Sequence, residues 1–232
     1  MNYYYGFDYT YVLVLIGFAI TFFAQMYVKS SYSKYKEVKT KSGLDGFEVA
    51  RRILDQNGLK NIDVVEVQGE LTDHYDPSRK VVRLSTDIFH GKTIAASSVA
   101  AHECGHALQD KENYFFLRFR SALVPFANIS TKLGYVAIMI GLIFGYIKLM
   151  WIGIALELVI LLFQLITLPV EFNASSRAAE FLKREALIEK SEQVGSKKML
   201  NAAALTYVAS VVSTLLSILR LVLIAASGSR RR

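Results

Sequence analysis

The run from Tyr9 to Val28 carries no charge and is almost wholly apolar or aromatic, and few folded environments accept such a segment. At about 1.5 Å per residue a helix of this length covers a hydrocarbon core of roughly 30 Å. Inside lipid, only a helix or a closed barrel satisfies every backbone N–H and C=O internally. Only Met1 to Asp8 precede the run, with neither a basic leader nor a clear small-residue cleavage site, so an uncleaved membrane anchor is expected. Leu133 to Leu168 is a second apolar region, too long for one span and interrupted by Lys148 and by Gly141, Gly145 and Gly153. It predicts two helices joined by a tight turn near Lys148. Glu157, in the second of them, is costly in lipid and is expected to face other helices or water, either as a functional group or as a carboxyl paired within the bundle. Ala202 to Ala226 is rich in Ser, Thr and Ala and contains Arg220; it is a weaker span, crossing the bilayer or lying against the other helices.

The formal charge of +7 would point to nucleic acid in a soluble chain, but 53% of the residues are hydrophobic and the basic ones cluster beside apolar segments. Lys29, Lys34, Lys36, Lys39 and Lys41 follow the first span, whereas no Lys or Arg precedes it. The positive-inside rule then places the N-terminus outside and the next domain in the cytoplasm. Lys183, Arg184, Lys190, Lys197 and Lys198, after the apolar hairpin, agree. Arg230, Arg231 and Arg232 conflict with the rule if Ala202 to Ala226 crosses fully. Attraction to anionic headgroups accounts for the charge, so the expected partner is the lipid bilayer and not nucleic acid. The single cysteine excludes an intramolecular disulfide framework.

Chemistry concentrates in His102-Glu103-Cys104-Gly105-His106. On a helix, two imidazoles four residues apart lie about 40° from each other on one face and can grip one zinc ion, while the glutamate on the flank of that face activates a water. Cys104 points away and is expected to pack behind the helix. Two histidines do not complete a catalytic zinc site, which takes three protein ligands and keeps a fourth position open. The third is assigned to Glu171: Pro169 suits a first helical turn, and Glu171, Ala174, Ser175 and Ala178 share one stripe, a carboxylate followed by small residues that permit close helix packing.

Between the first span and the motif, Leu44 to Gln56 has helical spacing and Asn57-Gly58 supplies a stop. Ile62 to Val67 and Lys80 to Ser85 read as strands that form a hairpin or small sheet, with His74 near its end and a turn at Asp76-Pro77. From about Thr93 to Gln109 a helix of small residues carries the motif. His90 is a loop histidine outside the site.

The segments Val99 to Ala107, Asp73 to Pro77 and Glu171 to Ser175 together resemble the YugP-type neutral zinc metallopeptidases of bacterial membranes, over essentially the whole chain. More distantly the chain is similar to the HtpX-type membrane proteases, in which an HExxH helix, two apolar spans and a glutamate-bearing helix follow in that order. The resemblance implies His102 and His106 as zinc ligands, Glu103 as catalytic base and Glu171 as third ligand. The distant relatives carry an acidic residue four positions after the third ligand. Here that position is Ser175, so support of the ligands there must be weaker or differently built.

The expected fold is mainly α: a multi-pass membrane protein with a zincin-like HExxH core and a small β-hairpin or sheet. Residues 9–28 form a span, 29–132 a cytoplasmic metallopeptidase domain, 133–168 a membrane hairpin, 169–200 a cytoplasmic helix with the third ligand, and 202–226 a C-terminal apolar helix. The expected activity is zinc-dependent endoproteolysis at the cytoplasmic face of the cell membrane, with one Zn2+ ion and protein or peptide substrates, in membrane-protein quality control. Glu103 would take a proton from water and pass it to the leaving amine. His74, with Tyr75 behind it, is the candidate donor to the oxyanion, and its alternative role is to order the turn. Lys80 to Ser85 is expected to be an edge strand that pairs with an extended peptide. Arg177 faces off the ligand stripe as an ion-pair residue. The rival reading is a membrane scaffold or chaperone-like protein that holds zinc structurally; hydrolysis of a non-peptide amide or ester uses the same metal chemistry.

Overall fold

Four helices of the computed structural model, which describes residues 10–229, are long and apolar enough to cross a membrane. They are α1 (Tyr11–Lys36), α5 (Phe115–Phe144), α6 (Ile147–Arg184) and α7 (Lys190–Ser229). Tyr9 and Arg230 to Arg232 lie outside the described residues. The chain divides into two compact units: one takes the residues up to Ala24, Arg120–Ile166 and those from Tyr207, the other Gln25–Phe119 and Thr167–Thr206.

In the first unit, outward side chains such as Phe18, Phe23, Phe126 and Ile143 are exposed, as they are when the solvent is lipid. The turn between α5 and α6 falls at Gly145 and Tyr146, next to Lys148, and Gly145 takes φ +70°, where a side chain would be strained. A Cβ on Gly153 would stand 2.4 Å from Ile138 Cγ1, so the hairpin helices touch through a small residue. Arg220 does not interrupt α7, and its guanidinium lies 4.3 Å from the centroid of the Tyr11 ring. Glu157 is half-buried in α6.

The second unit is built on helix α2 (Gly46–Gln56), a three-stranded sheet of β1 (Asp63–Val67), β2 (His74–Asp76) and β3 (Val81–Ser85), the short α3 (Thr86–Phe89) and α4 (Ile94–Lys111). Asp45 and Glu48 form a reciprocal cap at the start of α2, and Thr93 caps α4 through Ala96 N–H. Val49, Ala50, Ile53 and Leu54 of α2 pack with Val82 and Leu84 of β3, Ala100, Cys104 and Ala107 of α4, and Ala178 and Leu182 of α6 in one core.

Of the hairpin or small sheet expected from Ile62 to Val67 and Lys80 to Ser85, the sheet is what forms: β1 and β3 pair in parallel, and the hairpin joins β2 to β3, with His74 opposite Arg83. A three-residue strand is too short to show alternation in sequence. The order β1-β3-β2 makes β3 the central strand, so Lys80 to Ser85 is not an edge; within β3 every residue but Arg83 is buried. Finally, Pro169 does not start a helix but lies inside α6. An interior proline costs about 3 kcal/mol through its missing N–H and ring clash. The apolar stretch before it has no other way to satisfy its backbone in lipid, and Val170, Ala174 and Ala178 after it are fully buried, so helix is favoured on both sides. Likewise α7 continues through residue 201 without a break.

Candidate metal centre

Helix α4 presents His102 and His106 on one face, and α6 brings Glu171 to them. His102 Nε2 lies 3.4 Å and His106 Nε2 3.6 Å from Glu171 Oε2, and the three potential ligand atoms all fall within 4.8 Å of one another. With metal–ligand bonds of about 2.0–2.1 Å, the edge of a tetrahedral zinc site is about 3.3 Å, so two of the three separations are close to what zinc requires. Two imidazole nitrogens and one carboxylate oxygen also match the donor set of a catalytic zinc, so the residues fit the ion.

Close approach of the two helices depends on small residues. A Cβ on Gly105 would meet Ala174 O at 2.8 Å, and Ala174 and Ala178 are fully buried. The stripe of small residues after Glu171 thus does in three dimensions what its spacing suggested. Cys104, on the opposite side of α4, is buried with its thiol directed at Ala50 O at 3.6 Å, and burial pushes that thiol up.

Both histidines are held from behind. His102 Nδ1 lies 3.2 Å from Ser175 Oγ, so the serine in place of the relatives' acidic residue still reaches this imidazole. His106 Nδ1 is 3.0 Å from Gln109 Oε1. Metal-binding imidazoles commonly engage their second nitrogen in this way. Burial alone would depress the His106 imidazole's pKa, but its bond to Glu171 and the charges of Glu103 and Glu171 outweigh this and raise it. The same negative surroundings favour a bound cation.

Glu103 is 7% exposed, and among the described residues its carboxylate accepts no hydrogen bond. Asp73, in the approach to β2, adds a second carboxyl nearby. Burial raises its pKa, hydrogen bonds from Ser85 N–H and Oγ pull it back, and the charge of Glu103 adds to the rise.

The other expected residues fall as follows. His74 is on β2 and exposed; its Nδ1 donates to Thr72 O at 2.8 Å, so in the neutral ring Nε2 is an acceptor. Tyr75 does not stand behind His74, because its hydroxyl donates to Asp110 Oδ2 at 2.8 Å. Lys80 pairs with the same oxygen. Arg177 pairs with Glu112 at 2.6 Å, and His90 with Glu66 at 3.2 Å, at the surface. Sequence reasoning missed Gln109, Asp110, Asn173 and Asp73. Gln109 and Asp110 had a signal, since residues three and four after His106 share its face of the helix.

A sequence profile of the family described as "Putative neutral zinc metallopeptidase" matches residues 10–226. The chain is also 46% identical over 216 residues to the "Putative membrane protease YugP" of Bacillus subtilis (strain 168), covering 93% of this chain and 96% of that protein. No solved structure matches the chain.

Proposed function

Because the chain belongs to this neutral zinc metallopeptidase family, we propose that it is an integral-membrane endopeptidase in which one zinc ion, held by His102, His106 and Glu171, serves peptide-bond hydrolysis. The observation that carries the reading is the convergence of these three ligand groups beside a buried glutamate that accepts no hydrogen bond among the described residues. Zinc in such a site lowers the pKa of a bound water toward about 7 and polarises the scissile carbonyl.

Glu103 is the base: it takes the proton from the attacking water and later delivers it to the leaving amine. His74 is assigned to the oxyanion, a role that requires its Nε2 to carry a proton while Nδ1 remains on Thr72 O. An extended substrate is assigned to β2, an edge strand that Tyr75 and Lys80 tie to α4 through Asp110.

The basic residues after the first span support a cytoplasmic active site, with the protein in the cell membrane. Substrates are then membrane proteins or peptides presented at the bilayer, and quality control of membrane proteins is the process proposed. A structural zinc site in a scaffold is closed by four protein ligands, whereas three such groups converge among the described residues, which favours catalysis.

The test is to purify the protein in detergent, measure bound metal, and compare cleavage of an unfolded protein by the parent and by Glu103→Gln. Metal retained with cleavage lost by at least about 100-fold supports the assignment. A parent that binds zinc tightly and cleaves nothing transfers the weight to the scaffold.

A further inference from the structure

Behind His106, a chain of hydrogen bonds runs from a charged pair on the flank of the unit into its core, and every donor in it can be assigned. The guanidinium of Arg177 can only donate. It does so to Glu112 Oε2 at 2.6 Å and, through Nε, to Asn173 Oδ1 at 2.7 Å, so the Asn173 amide must present its oxygen. That oxygen accepts a second bond, from Gln109 Nε2 at 2.9 Å. The same Nε2 donates to Val170 O at 2.8 Å, and a backbone carbonyl can only accept. Two acceptors therefore agree on which way the Gln109 amide faces. Its Oε1 is turned to His106 Nδ1 at 3.0 Å, and that nitrogen must carry a proton. In the neutral imidazole the lone pair is then on Nε2, the nitrogen that faces Glu171.

We infer that Gln109 is a positioning residue for the metal centre: the one-way chain Arg177–Asn173–Gln109 selects the His106 tautomer whose Nε2 is free to bind zinc, and it locks α4 to α6 at the separation the ligands need. This rests on the zinc reading above. Gln109 is 0% exposed, so a reversed amide would set its buried oxygen against two other acceptors, Val170 O and Asn173 Oδ1, and lose both bonds that its Nε2 now donates. Such loss of partners is strongly unfavourable in a low-dielectric interior. An acidic partner would orient the ring as well but would add a negative charge. Gln109, like Ser175 at His102, orients its histidine without one.

The experiment uses the full chain in detergent and reads zinc affinity by chelator competition, together with the visible spectrum of the cobalt-substituted protein. Gln109→Met keeps the bulk and removes both ends of the bond chain; it is expected to weaken zinc binding about 10- to 100-fold and to alter the cobalt bands. Asn173→Asp presents only acceptors, so the polarity is preserved and affinity is expected to stay within about threefold of the parent, whereas Asn173→Leu is expected to weaken it about tenfold. Parent-like affinity and spectrum in Gln109→Met overturn the inference. If that variant does not fold, equal affinities of Asn173→Asp and Asn173→Leu overturn it. A parent that binds no zinc would instead refute the reading on which it rests.

Discussion

Gly105 of α4 lies against the backbone of Ala174 of α6, so closely that an added Cβ would stand 2.8 Å from the Ala174 carbonyl oxygen and 3.2 Å from its Cα. Both contacts are backbone, which cannot swing aside as a side chain could. Gly105→Ala is therefore expected to push α6 away from the histidines. Overpacking of this kind costs about 1–3 kcal/mol. Thermal unfolding should show the loss, and zinc affinity should fall with it. Unchanged affinity would mean that the ligands tolerate a wider helix separation.

Glu171 contacts both imidazoles, at 3.4 and 3.6 Å. Glu171→Ala should reduce zinc affinity by more than about 100-fold, beyond the loss of an outer hydrogen-bond partner. Metal analysis after dialysis reads this directly. Full occupancy in the variant would assign the third ligand elsewhere.

Tyr75→Phe removes the bond from the hydroxyl to Asp110, a carboxylate that is 9% exposed. Leaving a buried acceptor short of a donor costs about 1–3 kcal/mol, and Lys80 limits the loss to the lower end of that range. Chemical denaturation should register it. If β2 carries the substrate, KM should rise more than kcat falls.

Arg177 holds the Glu112 carboxyl below the usual carboxylate range. A depressed folded-state pKa contributes stability above the unfolded value of about 4.3 and loses it as pH falls through the folded value. Because the Glu112 side chain is 47% exposed, the pair is worth less than about 1 kcal/mol. Glu112→Gln should thus be slightly less stable than the parent near pH 7, with the difference closing below about pH 4. A gap that persists at low pH would show that something other than charge is responsible.

The orientation proposed from the charges can be mapped with thiol labelling, because Cys104 is the chain's single cysteine and is buried with its thiol pushed up. Lys190→Cys should react with a membrane-impermeant maleimide only after the cytoplasmic face is opened. Labelling of intact cells would reverse the assigned topology.

The motif on α4, the clustering of Glu171 with its two histidines and the apolar segments were legible because each depends on a local property: helical spacing, a carboxylate followed by small residues, or uncharged length. The β1–β3 pairing was not, since parallel strands are brought together by packing against α2 and α4 rather than by a turn. Pro169 misled for a related reason. Its local preference is real, and burial on one side with lipid on the other overrides it.

What the sequence alone determined is therefore the inventory of chemistry, two imidazoles and a glutamate on one helix and a carboxylate on another, together with the long apolar helices of the chain. The tertiary structure decided how the His106 ring is engaged, Nδ1 by Gln109 and Nε2 beside Glu171, and how near α6 comes, through Gly105 and Ala174. Spacing along one helix places side chains on a face, but the direction of a hydrogen bond and the gap between two helices exist only once both partners are in position.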